Sequence, residues 1–379
     1  MTRSAWLPRA GLVLLVTVSG GLVSTPASAA ATGVVSVVEK TKVRYKAAAG
    51  KQNRVVVTRS GRTIVVDDQV AIRAGVGCKQ VEGDRTKVSC ALSKAPTRVQ
   101  VYTYDRYDAV TNRTDLPMSA DGGTGNDILV GGRRGDRLLG GAGADRLYGG
   151  AGQDYLDGRH GNDLIFGGDG ADMIHGWLGN DTLHGGNGDD HVWGEEGDDR
   201  IHGEAGQDDL AGYQGSDYLH GGDGDDSLAG DVYTDGIAAD VMLGGAGFDQ
   251  VDYGDYQKAI SVDLDGARRD DGRPGEHDTV GSDVEGIYGG WAGDRLVGNA
   301  ADNGIMGYTG DDVIHGGGGN DWLDGLDGSD RVYGGAGDDW LSGDDRPNAD
   351  ADRLDGGTNG PLGDECLLFK RDTAVGCER

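Results

Sequence analysis

The chain of 379 residues carries 64 Asp and Glu against 35 Lys and Arg, for a net charge of −29, and 73 of its residues are glycine while only 7 are proline. That acidity argues against nucleic acid as a partner of the whole chain, because phosphate contacts need Lys and Arg. The lack of a Gly-X-Y period excludes a collagen-like rod, so the glycines serve some other repeat. An excess of carboxylates favours cations.

Residues 1–29 read as a signal peptide. Arg3 and Arg9 precede the apolar core Leu12-Val13-Leu14-Leu15-Val16, and Ala27-Ser28-Ala29 is a small-x-small cleavage site. The apolar run is shorter than the ~20 residues of a bilayer span. An extracellular monomer with no transmembrane segment is therefore expected.

Residues 30–118 are β-branched, basic and poor in glycine. Val34–Val38, Arg54–Thr58, Thr63–Val66 and Arg98–Val101 read as strands. The segment holds 16 basic and 8 acidic residues, which leaves residues 119–379 with a charge of −39. A basic β-rich cap over the first edge of the following structure is expected, its positive face a solvated surface, with a docking surface for an anionic cell-envelope polymer as the alternative.

From 119 to 252 a period of nine takes over. Asp stands at 127, 136, 145, 154, 163, 172, 181, 190, 199, 208, 217 and 226, and looser units add Asp240 and Asp249. With Asp as position 6 of each unit, position 1 is Gly in all twelve regular units, from Gly122 to Gly221. Position 4 is Gly in all but one, where Arg134 stands, and position 8 is always Leu, Ile or Val. Glycines at 1 and 4 allow tight turns through positive φ. Positions 7–9 place one apolar side chain between two mostly polar ones, the alternation of a very short strand with one face inward. Two units plausibly close a coil of eighteen residues, and coils stack about 4.8 Å apart with all strands parallel. An all-β, parallel β-solenoid follows.

Stacking at that distance sets each Asp carboxylate above another, which costs about 0.9 kcal/mol per pair even in bulk water. A thin core of one aliphatic residue per unit does not outweigh this repulsion together with the ordering of so many glycines. A hard cation between the turns reverses the balance. Ca²⁺ accepts six to eight oxygens from carboxylates and backbone carbonyls in flexible geometry, whereas Mg²⁺ demands an octahedron and resists dehydration. Neutralising −39 takes about twenty divalent ions, close to the number of turns.

The segment 253–288 interrupts the period. It contains the alternating stretch Ile260-Ser261-Val262-Asp263-Leu264 and an acidic loop with Asp270, Asp271, Glu276 and Asp278. The period resumes over 289–355 with Asp294, Asn303, Asp312, Asp321, Asp330 and Asp339, and a last unit stretched by Arg346-Pro347-Asn348 supplies Asp352. Residues 356–379 read as a C-terminal cap. Four cysteines allow three pairings. The local pairs Cys78 with Cys90 and Cys366 with Cys377 are favoured, as a disulfide framework suits an exported chain.

Gly140-Gly141-Ala142-Gly143-Ala144-Asp145-Arg146-Leu147-Tyr148 and the units from Gly149, Gly167, Gly185, Gly221, Gly244, Gly316 and Gly334 resemble the nonapeptide of RTX (hemolysin-type) calcium-binding proteins. The N-terminal signal is similar to that of secreted calcium-binding members in high-GC Gram-positive bacteria. The resemblance implies a parallel β-roll with Ca²⁺ held between successive coils by the position-6 aspartates and turn carbonyls. This chain departs from it at Ala292 and Ala301, which replace position-4 glycines, and at Asn303, so weak or empty sites are expected there, and Arg134 disturbs one turn of the first block.

Position 9 of alternate units gives an outward stripe of Tyr148, Phe166, His184, His202 and His220. Its imidazoles are candidates for a transition-metal or pH response. Trp177, Trp193, Trp291, Trp322 and Trp340 fall at outward or turn positions, where aromatics can stack on sugars. The chain has neither an H-E-x-x-H zinc helix nor a G-x-S-x-G elbow, and no enzyme is expected. The expected activity is calcium-ion binding coupled to folding. The competing classes are a calcium-stabilised carbohydrate or cell-surface adhesion module and a polysaccharide-modifying enzyme.

Overall fold

The computed structural model describes residues 32–232, 238–343, 351–360, 362–369 and 371–378. The signal segment 1–29 and the stretched Arg346-Pro347-Asn348 turn lie outside the described residues.

Each nonapeptide forms one short strand and one turn, and strands pair in parallel with the unit eighteen residues on. On one face Leu138 pairs with Leu156, Ile174, Val192, Leu210 and Leu228 in succession. On the other, Leu129 is followed by Leu147, Ile165, Leu183, Ile201 and Leu219. All twelve are fully buried. Because positions 7 and 9 flank position 8 on a pleat of period two, they point away from this line of aliphatics. Burying each Leu, Ile or Val favours the fold by about 1.5–3 kcal/mol. The core is thus one side chain thick on each sheet, and every coil depends on its neighbours.

Three sheets of 17, 13 and 6 strands result. The first runs the length of the molecule. The second ends at Thr279–Val280, which pairs with Val241–Ala246. The third begins at Ser261–Asp263, which pairs with Arg295–Val297. Residues 253–288 therefore hold the changeover between two sheets, while Gly286–Tyr288 carries the long sheet through. Buried Tyr253 and Tyr256 fill the changeover. Their hydroxyls donate to Asp278 Oδ2 and Glu276 Oε1 at 3.2 Å, and Arg273 Nε donates to Glu276 Oε1 at 3.0 Å.

At the N-terminal end, Arg98–Tyr102 and Ala109–Arg113 lie parallel to Met118–Thr124 and Ile128–Gly132 on one side and to Lys42–Lys46 and Arg54–Ser60 on the other. Antiparallel pairs then close the edges: Gly33–Val38 with Lys42–Lys46, and Arg54–Ser60 with Thr63–Asp67. Reversing strand direction there converts open parallel edges into hairpins, which disfavours end-to-end pairing. Cys78 is bonded to Cys90 and Cys366 to Cys377. The second bond joins the last rungs, Glu365–Leu367 and the segment after Thr373–Val375. No helix among the described residues is long and apolar enough to cross a membrane.

Candidate metal centre

In a regular turn the backbone is left-handed at positions 2 and 4, as at Gly141 (φ 123°) and Gly143 (φ 129°). Position 4 must be glycine, because a Cβ on Gly161 would sit 2.3 Å from the carbonyl oxygen of Gly143 in the coil below. Position 2 is as close to the coil below where it is glycine, a Cβ on Gly141 falling 1.9 Å from the carbonyl oxygen of Gly123, but it accepts Arg159, Trp177, Glu195, Glu204 and Tyr213 where φ narrows to between 75° and 82°, at about 1–2 kcal/mol each. Position 1 is glycine for a different reason. A Cβ on Gly122 would lie 2.3 Å from Asp127 Oδ2 and 2.7 Å from the carbonyl oxygen of Gly140. The space that glycine leaves open is where a carboxylate and a main-chain carbonyl of the next coil converge.

The position-6 aspartates form ladders. The N–H of Asp127 donates to Oδ1 of Asp145, that of Asp145 to Asp163, and that of Asp163 to Asp181, each at 2.6 Å. A parallel ladder runs from Asp136 through Asp154, Asp172 and Asp190 to Asp208. Asp294, Asp312, Asp330 and Asp352 continue the pattern in the second block, as do Asp321 and Asp339. One oxygen of each carboxylate is thereby used.

The other is not. Oδ2 of Asp127, Asp145, Asp154, Asp163, Asp172, Asp181, Asp190, Asp199, Asp208, Asp217 and Asp226 is buried with no hydrogen-bond partner. The same holds for Asp240, Asp249, Asp312, Asp321, Asp330 and Asp339. A buried polar atom without a partner costs about 1–3 kcal/mol, more if charged, so seventeen of them in register fit a bound cation. Burial pushes these carboxyls far above the ordinary range, to about 8 for Asp145, Asp154 and Asp199 and to about 7 for Asp127, Asp163 and Asp190. The carboxylates stacked above and below push the same way, while the backbone N–H opposes them. Hard, all-oxygen donors of this kind suit Ca²⁺, whose coordination takes carboxylates and carbonyls together.

Three units are built differently. At Asp136 and Asp294 the second oxygen accepts the N–H of position 2, from Gly132 at 2.6 Å and Gly290 at 2.7 Å. Asn303 Oδ1 likewise accepts the N–H of Asn299 at 2.9 Å. These are the three units whose position 4 is Arg134, Ala292 or Ala301, and neither their position 2 nor their position 4 is left-handed. A side chain at position 4 forbids the regular turn. The alternative turn satisfies the oxygen internally and leaves less for an ion.

The ladders also reach residues outside the repeat pattern. Asn53 and Asp108 each donate a backbone N–H to the next carboxylate, Asp108 and Asp127 respectively. The N–H groups of Asp240, Asp249, Asp339 and Asp352 donate to Asp278, Glu285, Asp364 and Asp372. Oδ2 of Asp108 and of Asp364 is buried and without a partner, as in the regular units. In sequence each of the five is an acid followed by a short alternating strand, such as Asp108-Ala109-Val110-Thr111 and Asp278-Thr279-Val280. The glycines that announce a regular unit are missing or displaced.

The outward stripe is realised as a stack. Ring centroids are 5.4 Å apart for Tyr148 and Phe166, 4.6 Å for Phe166 and His184, 5.0 Å for His184 and His202, and 6.0 Å for His202 and His220. Burial and the flanking imidazoles lower the pKa of His202.

A parallel β-roll with a carboxylate-bearing, oxygen-lined turn at each half coil is the class these features define. Residues 121–156, 154–183, 178–210, 205–232, 288–323 and 315–345 match the RTX calcium-binding nonapeptide repeat. The repeats at 121–232 and 288–345 are of that family, and its model leaves 233–287 between them unmatched. No curated protein matches the chain.

Proposed function

We propose that this is a secreted calcium-ion-binding protein whose turns take up multiple Ca²⁺ ions and order as they do so. The observation that carries the reading is the set of seventeen buried, unpartnered carboxylate oxygens stacked in register. The ligands are the position-6 aspartates together with carbonyls of the adjoining coil. Asp136, Asp294 and the Asn303 unit contribute least. Asp108 and Asp364 extend the set at the two ends. Affinities in the ~10⁻⁴–10⁻³ M range of extracellular modules would keep the chain open in a calcium-poor cytoplasm and fold it outside, since ion binding to a site absent from the unfolded chain is folding free energy. We read the activity as binding rather than turnover, because the abundant carboxylates are committed to the turns.

Equilibrium dialysis of the full chain against Ca²⁺, with Mg²⁺ as control, tests this. Many ions per chain are expected, with the number falling when Asp145, Asp163 and Asp181 are changed together to Asn. Uptake of one ion or none would refute the proposal.

A further inference from the structure

The repeat departs from its own rules several times, and four of the departures meet at one place on the long sheet. Position 7 normally carries an outward side chain, yet it is Gly286 and Gly304 on two successive rungs, flanked by Gln250 on one side and Trp322 on the other. At ~4.8 Å per rung this opens a trough about 14 Å long. Position 5 is small or polar in every other unit, but in the unit preceding the changeover it is Phe248. Its ring reaches over the trough, with its tip 3.0 Å from where a Cβ on Gly304 would sit. Asn303 is the one position-6 residue that is not an acid, and it also lines the trough. A unit that has given up its calcium carboxylate thus forms the floor of a surface cavity.

The cavity has a volume of about 280 Å³, just under the ~300–1,000 Å³ of pockets for drug-sized ligands, so it has room for one ring. Its walls are aromatic. Trp322 stacks on Trp340 at 5.3 Å and 3°, and since both stand on successive rungs its free face looks toward Gly304. Phe248 and Trp322 are 43% and 39% exposed, unusual for rings of this size. The rim is polar. Among the described residues Asp302 uses only Oδ1, accepting the N–H of Asn320, and Asn320 uses only Oδ1, accepting the N–H of Asp338. Among the described residues the Gln250 carboxamide makes no side-chain hydrogen bond. Amide and carboxylate groups around an exposed indole face suit a molecule with a flat C–H face and an edge of hydroxyls. The Asp302 carboxylate on the rim disfavours an anionic ligand.

We infer that the slot between Phe248 and Trp322 binds one pyranose ring of an uncharged glycan. The ring packs its C–H face on Trp322, and its hydroxyls bond to Gln250, Asp302 and Asn320. Calcium is not part of this contact; it is needed only to keep the roll folded.

The test uses the full chain in excess calcium, titrated with neutral cello-, manno-, xylo- and chito-oligosaccharides while tryptophan emission is followed. At least one series is expected to bind saturably with a change in emission. Trp322→Ala should weaken that binding about tenfold or more, as truncation of a central aromatic anchor does. Gly304→Val, whose side chain rises from the trough against the Phe248 ring and fills the slot, should weaken it comparably. Circular dichroism of both variants in calcium should match the parent and so separates loss of the slot from loss of the fold. No saturable binding of any of the four series, binding unchanged in both folded variants, or stronger binding of an oligouronate than of every neutral series would each overturn the assignment. None of these outcomes bears on calcium uptake, which dialysis measures separately.

Discussion

Changing Asp181 to Asn should affect stability with opposite signs depending on whether calcium is present. Asp181 lies in the middle of a ladder: its Oδ1 accepts from Asp163, its N–H donates to Asp199 at 2.7 Å, and its Oδ2 is buried and unpartnered. Asn is isosteric and its carbonyl oxygen keeps the first bond. What changes is one charge, and one oxygen that becomes an NH₂ group. Without calcium, and at about pH 8.5 where these raised carboxyls are largely ionised, the carboxylates of Asp163 and Asp199 about one rung away each repel Asp181 by about 0.9 kcal/mol at the dielectric of water. Loss of both repulsions favours the metal-free roll by about 1.8 kcal/mol. With calcium, the NH₂ group faces the ion, and a site filled at a hundredfold its Kd contributes ~2.7 kcal/mol, most of which is lost. Thermal unfolding followed by circular dichroism, in excess calcium and in excess chelator, reads both arms. Asp181→Asn should melt lower than the parent in calcium and retain at least as much sheet signal in chelator. An equal loss of stability in both conditions would refute the reasoning, because it would make Asp181 a structural hydrogen-bonding group and nothing more.

The remaining predictions concern the irregular turn, protons and the core. Arg134→Gly should restore the regular turn, free Asp136 Oδ2 from Gly132 and raise the calcium count by about one, stabilising the loaded protein by ~2–3 kcal/mol; dialysis and melting in calcium check this, and no gain is expected in chelator. Protons should partly replace calcium. Carboxyls raised to about 6–8 in the metal-free fold lend it stability that is complete below about pH 4 and is lost as pH rises through 6–8. Sheet signal in chelator should therefore fall from pH 5 to pH 8.5 while calcium affinity rises over the same window, as a pH series of titrations would show. Leu183→Ala, at a fully buried site between Ile165 and Ile201, should cost ~2–5 kcal/mol. Hydrogen exchange should place the damage in adjacent coils, since each contacts only its neighbours.

Much of this architecture was legible because the period is redundant. Asp127 to Asp226 at steps of nine, with an aliphatic residue two further on, set the strand, its inward side chain and the eighteen-residue register together, and the stacking of Tyr148, Phe166, His184 and His202 follows from that register alone. The local cysteine pairs were legible from spacing. Asp108, Asp278, Glu285, Asp364 and Asp372 were not. The ladder asks only for a carboxylate that accepts an N–H and precedes an alternating strand, and such a residue needs no glycine turn to announce it. The changeover at 253–288 was hidden for a related reason. Ser261–Asp263 and Thr279–Val280 are rungs of different sheets, and the tyrosines and Arg273 that fill the space between them follow no period. The departures at Arg134, Ala292 and Ala301 were visible, but their consequence, a turn that satisfies its own oxygen, depends on backbone angles that only the folded chain displays.

The central claim is that stacked acidic turns assemble only when a divalent ion joins them. Far-ultraviolet circular dichroism of the mature chain, titrated with Ca²⁺ from a chelated start near pH 8 and repeated with Mg²⁺, tests it most directly. The account predicts a largely disordered spectrum in chelator, a cooperative rise to a sheet spectrum with Ca²⁺, and little response to Mg²⁺. A full sheet spectrum in chelator, with an unfolding temperature equal to that of the calcium-loaded protein, would contradict it.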